Sequence, residues 1–381
     1  MHLKQLRSAS CSAQQPRRNV RVCAAAPVSP VETVYLGRKG QLSSRYLEGS
    51  PIGKGSFGLV YRGVDMTDGR EVAIKQLQTV DAPGRGLLTR GKIQEKISRE
   101  MGVLQALSGV DRVAQLLDVF DDGRSVHLVL ELCRGNDLQK VSETCGPLSE
   151  RAIQLVALEV LSTVRACHDR GIQHGDVKPA NFCLTASGRN PLFSLDPQLQ
   201  KTAWLKAIDF GCSQRFSPSQ RLTKRTGTPV YMAPEVFARD YSCSSDVWSV
   251  GVLLYQLFSG GTFPFWRTPG CVRVTKLDEV ANAVTTNDIV FNFGPFTTMS
   301  EAGLDFLQRC LTRVEKDRIS VDEALSHPWI TTVDPDEPYQ KLVNNGSSSH
   351  SSSNNILPSP MGMERRASNV SPGTQIVTAA Q

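Results

Sequence analysis

The 381 residues are 40% hydrophobic and 21% charged, ordinary globular proportions with room for one large domain or two smaller ones. The net charge of +6 comes mainly from the first thirty residues, where Lys4, Arg7, Arg17, Arg18 and Arg21 stand without a single acid. Beyond them 38 basic and 37 acidic residues nearly cancel, so nothing in the balance calls for nucleic acid.

From the N-terminus, residues 1–26 combine scattered arginines, Ser8, Ser10, Ser12 and several alanines. That is the composition of an organelle transit peptide, without the continuous apolar run of a secretory signal. Val20-Arg21-Val22-Cys23-Ala24-Ala25 looks like a chloroplast processing site with cleavage near Cys23; a mitochondrial presequence and a disordered basic tail are the alternatives. A linker is expected over 27–45.

Strand-like alternation over 46–52 and 59–64 predicts a hairpin around Gly53-Lys54-Gly55-Ser56-Phe57-Gly58-Leu59-Val60. A G-x-G-x-x-G run alone is a weak signal, but one set between two strands and opening no helix sets aside a dinucleotide-binding turn. A third strand over 71–76 carries Lys75. Ile93, Ile97, Met101, Leu104 and Leu107 then recur at helical spacing, and Glu100 lies beside that stripe, where it can reach Lys75. A solvated i,i+4 charge pattern with Glu95, Lys96 and Arg99 is the alternative for Glu100. Residues 46–133 thus read as strands with one helix and 148–330 as mostly helix, which makes two lobes.

The run Gly171-Ile172-Gln173-His174-Gly175-Asp176-Val177-Lys178-Pro179-Ala180-Asn181 follows a predicted apolar helix and sets a carboxylate, an ammonium and an amide within six residues of one another. Asp176 can accept a hydroxyl proton, Lys178 can neutralise a transferring phosphoryl group and Asn181 can hold a metal ion. Asp209-Phe210-Gly211 follows. Residues 247–258 make the best apolar stretch, too short for the roughly 18 residues a membrane span needs, and read as a core helix. The ten cysteines show no C-x-x-C pair and no histidine at metal spacing, so reduced thiols are expected.

Taken in order, these motifs resemble the eukaryotic protein kinases, over roughly 46–330. The resemblance implies an α+β fold of two lobes: a small β-rich N-lobe with one key helix, and a larger helical C-lobe. It implies ATP and Mg²⁺ as cofactors, with nucleotide contacts from Ile52, Gly53, Lys54, Gly55, Ser56, Phe57, Gly58, Val60, Ala73, Lys75, Glu100, Glu131 and Cys133. Asn181 and Asp209 would hold the metal, and Asp176 and Lys178 would carry the chemistry. Lys178 and Thr228 resemble the serine/threonine branch, so serine and threonine residues of proteins are the implied acceptors. Glu235 of Ala233-Pro234-Glu235 would pair with Arg318, and Asp246 would brace the catalytic loop. His327-Pro328-Trp329-Ile330 resembles the usual close of the domain, which is expected to span 46–332 and to be monomeric.

Within the family, the segments 127–133, 205–211 and 245–249 look most like the calcium-dependent and calmodulin-dependent kinases, yet no D-x-D-x-D-G loop appears and calcium-independent activity is expected. Gly175 replaces the arginine that normally pairs with a phosphorylated activation loop, and Lys224 stands where the family often carries its phosphothreonine. Activity is therefore expected not to need loop phosphorylation, with a phosphate on Thr226 a lesser hypothesis. Gly175 also motivates a rival from another class, a pseudokinase that binds nucleotide or a partner without turnover. Asp137 suggests a preference for R-x-x-S/T, or else caps the following helix. Cys212, next to Asp-Phe-Gly, admits a redox-gated reading. Insertions at 81–91 and 185–202 are expected to be surface loops, and 333–381 a disordered Ser-rich tail in which Ser368 fits an R-x-x-S acceptor.

Overall fold

The computed structural model describes residues 37–39, 41–55, 58–79, 90–185, 203–217, 219–266 and 276–332. The leader, Ser56, Phe57, most of both insertions and the tail with Ser368 lie outside the described residues.

Five antiparallel strands form the N-lobe sheet: β2 (Tyr46–Gly55), β3 (Gly58–Asp65), β4 (Glu71–Gln78), β5 (Leu116–Asp121) and β6 (Ser125–Glu131). A short strand β1 (Arg38–Lys39), inside the segment expected to be a linker, pairs parallel with β5 at the sheet edge. The spatial order is β1-β5-β6-β4-β3-β2. Alternate side chains along β4 leave on opposite faces. Val72 and Ile74 join Val129, Tyr46, Phe120 and Leu42 in a small outer cluster. Ala73 and Leu77 face the main core with Val126, Leu128 and Leu130. Lys75 shares that inward parity, which aims an ammonium at the helix beneath.

That helix, α1 (Arg90–Ala106), packs Ile97, Met101 and Leu104 into the same core, with Ile93 partly buried against it. Glu100 follows Ile97 by three residues and precedes Leu104 by four, so it is carried on the buried side and is only 4% exposed.

The C-lobe is helical: α2 (Leu138–Cys145), α3 (Glu150–His168), α4 (Pro234–Ala238), α5 (Ser245–Ser259), α6 (Leu277–Thr286), α7 (Glu301–Cys310), α8 (Val321–Leu325) and α9 (Pro328–Thr331). Ser149 caps α3 by accepting from the Ala152 N–H. Every residue of α5 from Ser245 to Phe258 is buried, which bears out the expected core helix, and its apolar side chains contribute roughly 2 kcal/mol each by leaving water. Two-residue strands β7 (Ile172–Gln173) and β10 (Gln214–Arg215) pair with each other, as do β8 (Phe182–Leu184) and β9 (Leu205–Ala207). These short ribbons hold the loops of the cleft. No described helix is long and apolar enough to cross a membrane.

Candidate active site

Three groups from distant parts of the chain meet on the N-lobe side of the cleft. Lys75 Nζ lies 2.6 Å from Glu100 Oε1 and 2.8 Å from Asp209 Oδ1. Burial alone would push this ammonium down, but the two carboxylates hold it well above its ordinary range. Burial likewise opposes the charge on Asp209, and Lys75, together with the Gly211 N–H at 3.0 Å, pulls that carboxyl down to about 2. The solvated alternative for Glu100 is taken by its neighbours: Glu95 and Arg99 form the i,i+4 pair at 2.7 Å on the outer face of α1.

The C-lobe side grows from β7 into residues 174–181. Asp246, at the start of α5, accepts the N–H of His174 at 2.8 Å and of Gly175 at 2.9 Å, and its Oδ2 also lies 2.9 Å from His168 Nε2. Burial would lower His168, yet the Asp246 hydrogen bond raises it to about 10, so an imidazolium braces the carboxylate from α3. The His174 ring stacks on Phe182 and leans on Phe210, with centroids 5.7 and 5.1 Å away. Burial lowers its pKa, and Nδ1 receives the Asp176 N–H at 3.3 Å, the arrangement of a neutral ring.

Asp176 is then enclosed. Its Oδ1 accepts the Thr228 N–H at 2.8 Å, and its Oδ2 meets Lys178 Nζ at 2.9 Å and Asn181 Nδ2 at 3.0 Å. Lys178 Nζ also donates to Thr228 Oγ1 at 2.7 Å, so Thr228 spans the carboxylate and the ammonium. This approach depends on two glycines. Gly175 has φ +75 and Gly227 φ +101, and a Cβ on Gly227 would sit 2.2 Å from the Gly175 carbonyl oxygen.

The nucleotide-facing residues are less engaged. Ile52 is 46% exposed on β2, Val60 is half-buried on β3 opposite Lys75, and Ala73 is buried on β4 opposite Leu130. Gly53, Lys54 and Gly55 pair with Val60, Leu59 and Gly58 up to the turn, where Ser56 and Phe57 fall outside the described residues. The Glu131 carboxylate is committed to Lys206 Nζ at 2.7 and 2.8 Å and its N–H to the Gln115 carbonyl at 2.8 Å, so neither is offered to a ligand. The Cys133 N–H has no hydrogen-bond partner among the described residues, the state of a donor left for an incoming base. Asn181 spends both amide hydrogens on Asp176, which leaves its Oδ1 and the Asp209 carboxylate as oxygen donors in the cleft. Two hard oxygen residues are too few for a protein-only cage and suit Mg²⁺ arriving with phosphates; among the described residues no cluster of three His, Cys, Asp or Glu could hold a metal by itself.

Several supporting residues escaped sequence reading. Gln214 Nε2 donates to Tyr241 Oη at 2.8 Å and to the Lys224 carbonyl at 3.1 Å, while Gln173 Nε2 donates to Ser245 Oγ at 2.9 Å. Arg221 reaches Asp240 at 2.7 Å and Glu315 at 2.6 Å, and Leu222 exchanges backbone hydrogen bonds with Tyr241. These contacts tie Arg221, Leu222 and Lys224 to Gln214, Asp240, Tyr241 and Glu315. A string of amides and a lone arginine carry no spacing signal by which they could have been found. Glu235 and Arg318, named from sequence, form a bidentate pair at 2.5 and 3.0 Å. Asp137 caps α2 by accepting the Lys140 N–H at 2.8 Å, its second oxygen remaining for other partners. Burial pushes the Cys212 thiol up to about 12, which weakens its redox reading.

Comparison with known proteins agrees with this geometry. The protein kinase domain model matches residues 46–330. The chain is 35% identical over 305 residues to calcium-dependent protein kinase 7 of Oryza sativa subsp. japonica, covering 80% of this chain and 51% of that one. It is 35% identical over 298 residues to the serine/threonine-protein kinase PEPKR2 of Arabidopsis thaliana, 78% and 56% covered, and 33% identical over 301 residues to the Arabidopsis CDPK-related kinase 5, 77% and 45% covered. It therefore spans about half the length of the curated relatives it matches. With the match over most of its length and the two lobes and cleft just described, the chain belongs to the protein kinase family.

Proposed function

We propose that the chain transfers the terminal phosphoryl group of ATP to serine and threonine hydroxyls of proteins. The observation that carries this reading is the convergence of Asp176, Lys178, Asn181 and Thr228 on one side of a cleft whose other side holds Lys75, Glu100 and Asp209. Asp176 orients the acceptor hydroxyl and takes its proton, and Lys178, held by Thr228, offsets negative charge on the transferring group. Lys75, fixed by Glu100, serves the phosphates that precede it. Asn181 Oδ1 and Asp209 are the residues that would hold Mg²⁺, which supplies positive charge against the phosphate oxygens. A binding-only protein would be expected to have lost one of these groups; each is present and in contact.

The test is transfer from labelled ATP with Mg²⁺ to a serine peptide, beside Asp176→Asn. Transfer by the parent alone, with nucleotide bound by both, supports the reading; nucleotide binding without transfer by either removes it.

Finer features belong to the same proposal. Calcium independence is supported by the Lys75–Glu100 pair closing within the chain itself, and a calcium titration with a large rate change would refute it. Chloroplast residence rests on the leader composition and is checked by a fluorescent fusion of residues 1–26. A preference for R-x-x-S/T rests on the remaining Asp137 oxygen, and a peptide library without arginine selection would remove it.

A further inference from the structure

Between β10 and Pro229 the described residues form no helix and only one isolated bridge, Leu222 to Tyr241. No ladder of main-chain hydrogen bonds therefore fixes this stretch, although its far end must deliver Thr228 to Asp176 and Lys178. Side chains fix it instead. Lys224, four residues before Thr228, offers a carbonyl with two lone pairs, and two donors reach it: Gln214 Nε2 at 3.1 Å and Tyr241 Oη at 2.5 Å. The other amide hydrogen of Gln214 goes to Tyr241 Oη at 2.8 Å, so amide, phenol and carbonyl close a ring of hydrogen bonds. Longer contacts at 3.3 Å to Thr226 Oγ1 and Gln173 Oε1 share the same amide hydrogens.

Neither donor can turn to solvent, since Gln214 is 8% and Tyr241 1% exposed. Each is also held from behind. Gln214 stands on β10 directly opposite Gln173 of β7, three residues before Asp176, and the Gln173 amide donates to Ser245 Oγ of α5 at 2.9 Å. Tyr241 exchanges main-chain hydrogen bonds with Leu222 at 2.8 and 3.1 Å. The Lys224 carbonyl is thus anchored to the same ribbon that leads into the catalytic loop.

We propose, resting on the phosphotransfer reading, that Gln214 with Tyr241 is a positioning residue: by holding the Lys224 carbonyl it sets the path of residues 225–228 and so the approach of Thr228 to Asp176. Gln214 lies behind the reacting groups and acts through Thr228. Without its amide the buried carbonyl keeps one donor where it had two, the stretch samples other paths, and Thr228 meets Asp176 in only a fraction of molecules. Lys75 bonds to Glu100 and Asp209 on the other side of the cleft and shares no hydrogen bond with this ring, so nucleotide affinity is left as it was.

The full chain is compared with Gln214→Met, which keeps the length of the side chain and removes its donors, with Gln214→Lys, which returns N–H donors to that place, and with Tyr241→Phe, which keeps the ring. Steady-state transfer to a serine peptide, affinity for a fluorescent ATP analogue and amide hydrogen exchange over 221–228 are read on each. Gln214→Met and Tyr241→Phe are expected to lose about tenfold in kcat, the scale of one hydrogen bond, with the KM for ATP and the analogue affinity unchanged and exchange over 221–228 about tenfold faster. Gln214→Lys is expected to recover most of both losses. The double variant is expected to fall short of the product of the single losses, because both donors serve one carbonyl. A parental rate in Gln214→Met, nucleotide affinity that falls in step with the rate, a Gln214→Lys variant as slow as Gln214→Met, or an additive double variant would each overturn the proposal. Where Gln214→Met does not fold, Tyr241→Phe decides by the same criteria. Exchange needs no turnover, so a parent that binds ATP without transfer removes the phosphotransfer reading, whereas unchanged exchange over 221–228 in the variants removes the positioning role.

Discussion

On the C-lobe side of the cleft, Asp176 is enclosed by Lys178, Asn181 and Thr228, and Asp246 ties the loop beneath it to α5. On the N-lobe side Ile52 stands half in solvent, and in the connecting segment the Cys133 N–H has no partner among the described residues. The contrast teaches how one cleft divides its work. Groups that meet developing charge must be held beforehand, because reorganising them during the reaction raises the barrier. Groups that bind a ligand which comes and goes must keep surface and donors to offer it.

The largest expected effect breaks the prearranged side. Asp176→Asn keeps the shape of the loop but removes the proton acceptor, and phosphotransfer is expected to fall about 10³-fold, or about 4 kcal/mol, with nucleotide affinity retained. A comparable loss of nucleotide binding would show that the two sides are not separable. Next, Arg318→Ala strands the Glu235 carboxylate behind the activation segment and is expected to cost about 3 kcal/mol of stability, read as a lower urea midpoint.

The pH dependence sharpens the comparison from within the prearranged side. Folded His168 titrates near 10, above the ordinary 6.5, so the stability it adds is whole below pH 6.5 and is lost as pH rises through 10. Asp209 has the opposite sign: depressed to about 2 from 3.8, it adds stability above pH 3.8 that is lost as pH falls through 2. Urea midpoints between pH 6.5 and 10 should decline in the parent and much less in His168→Gln; equal slopes would refute the imidazolium. The smallest effect is expected from Thr226→Ala. The hydroxyl donates to the Cys212 carbonyl at 3.0 Å, and its removal should cost about 1 kcal/mol and change the rate little. An unchanged rate would remove the hypothesis of a phosphate on Thr226.

Much of the fold and of the candidate site was legible in the chain. The hairpin expected over 46–52 and 59–64 is β2, which runs on to Gly55, with β3, which spans Gly58–Asp65, and the helix expected over 93–107 is α1, starting at Arg90. Lys75, Glu100, Asp176, Lys178, Asn181 and Asp209 all reach the cleft, because each sits in a short motif whose local geometry aims it. Less legible were His168, Gln214 and Arg221. His168 ends an ordinary apolar helix, and its role exists only because Asp246 arrives from α5. The parallel pairing of β1 was equally silent, since two residues have no periodicity to read.

Sequence alone determined which reactive groups this protein has, their order, and the parity that sends Lys75 and Glu100 inward, because strand and helix periods are local properties of the backbone. Tertiary structure decided what those groups are charged against. The lifted His168 and the depressed Asp209 both arise between residues dozens of positions apart. Burial and the approach of a partner set those states, and neither exists until the chain has closed on itself.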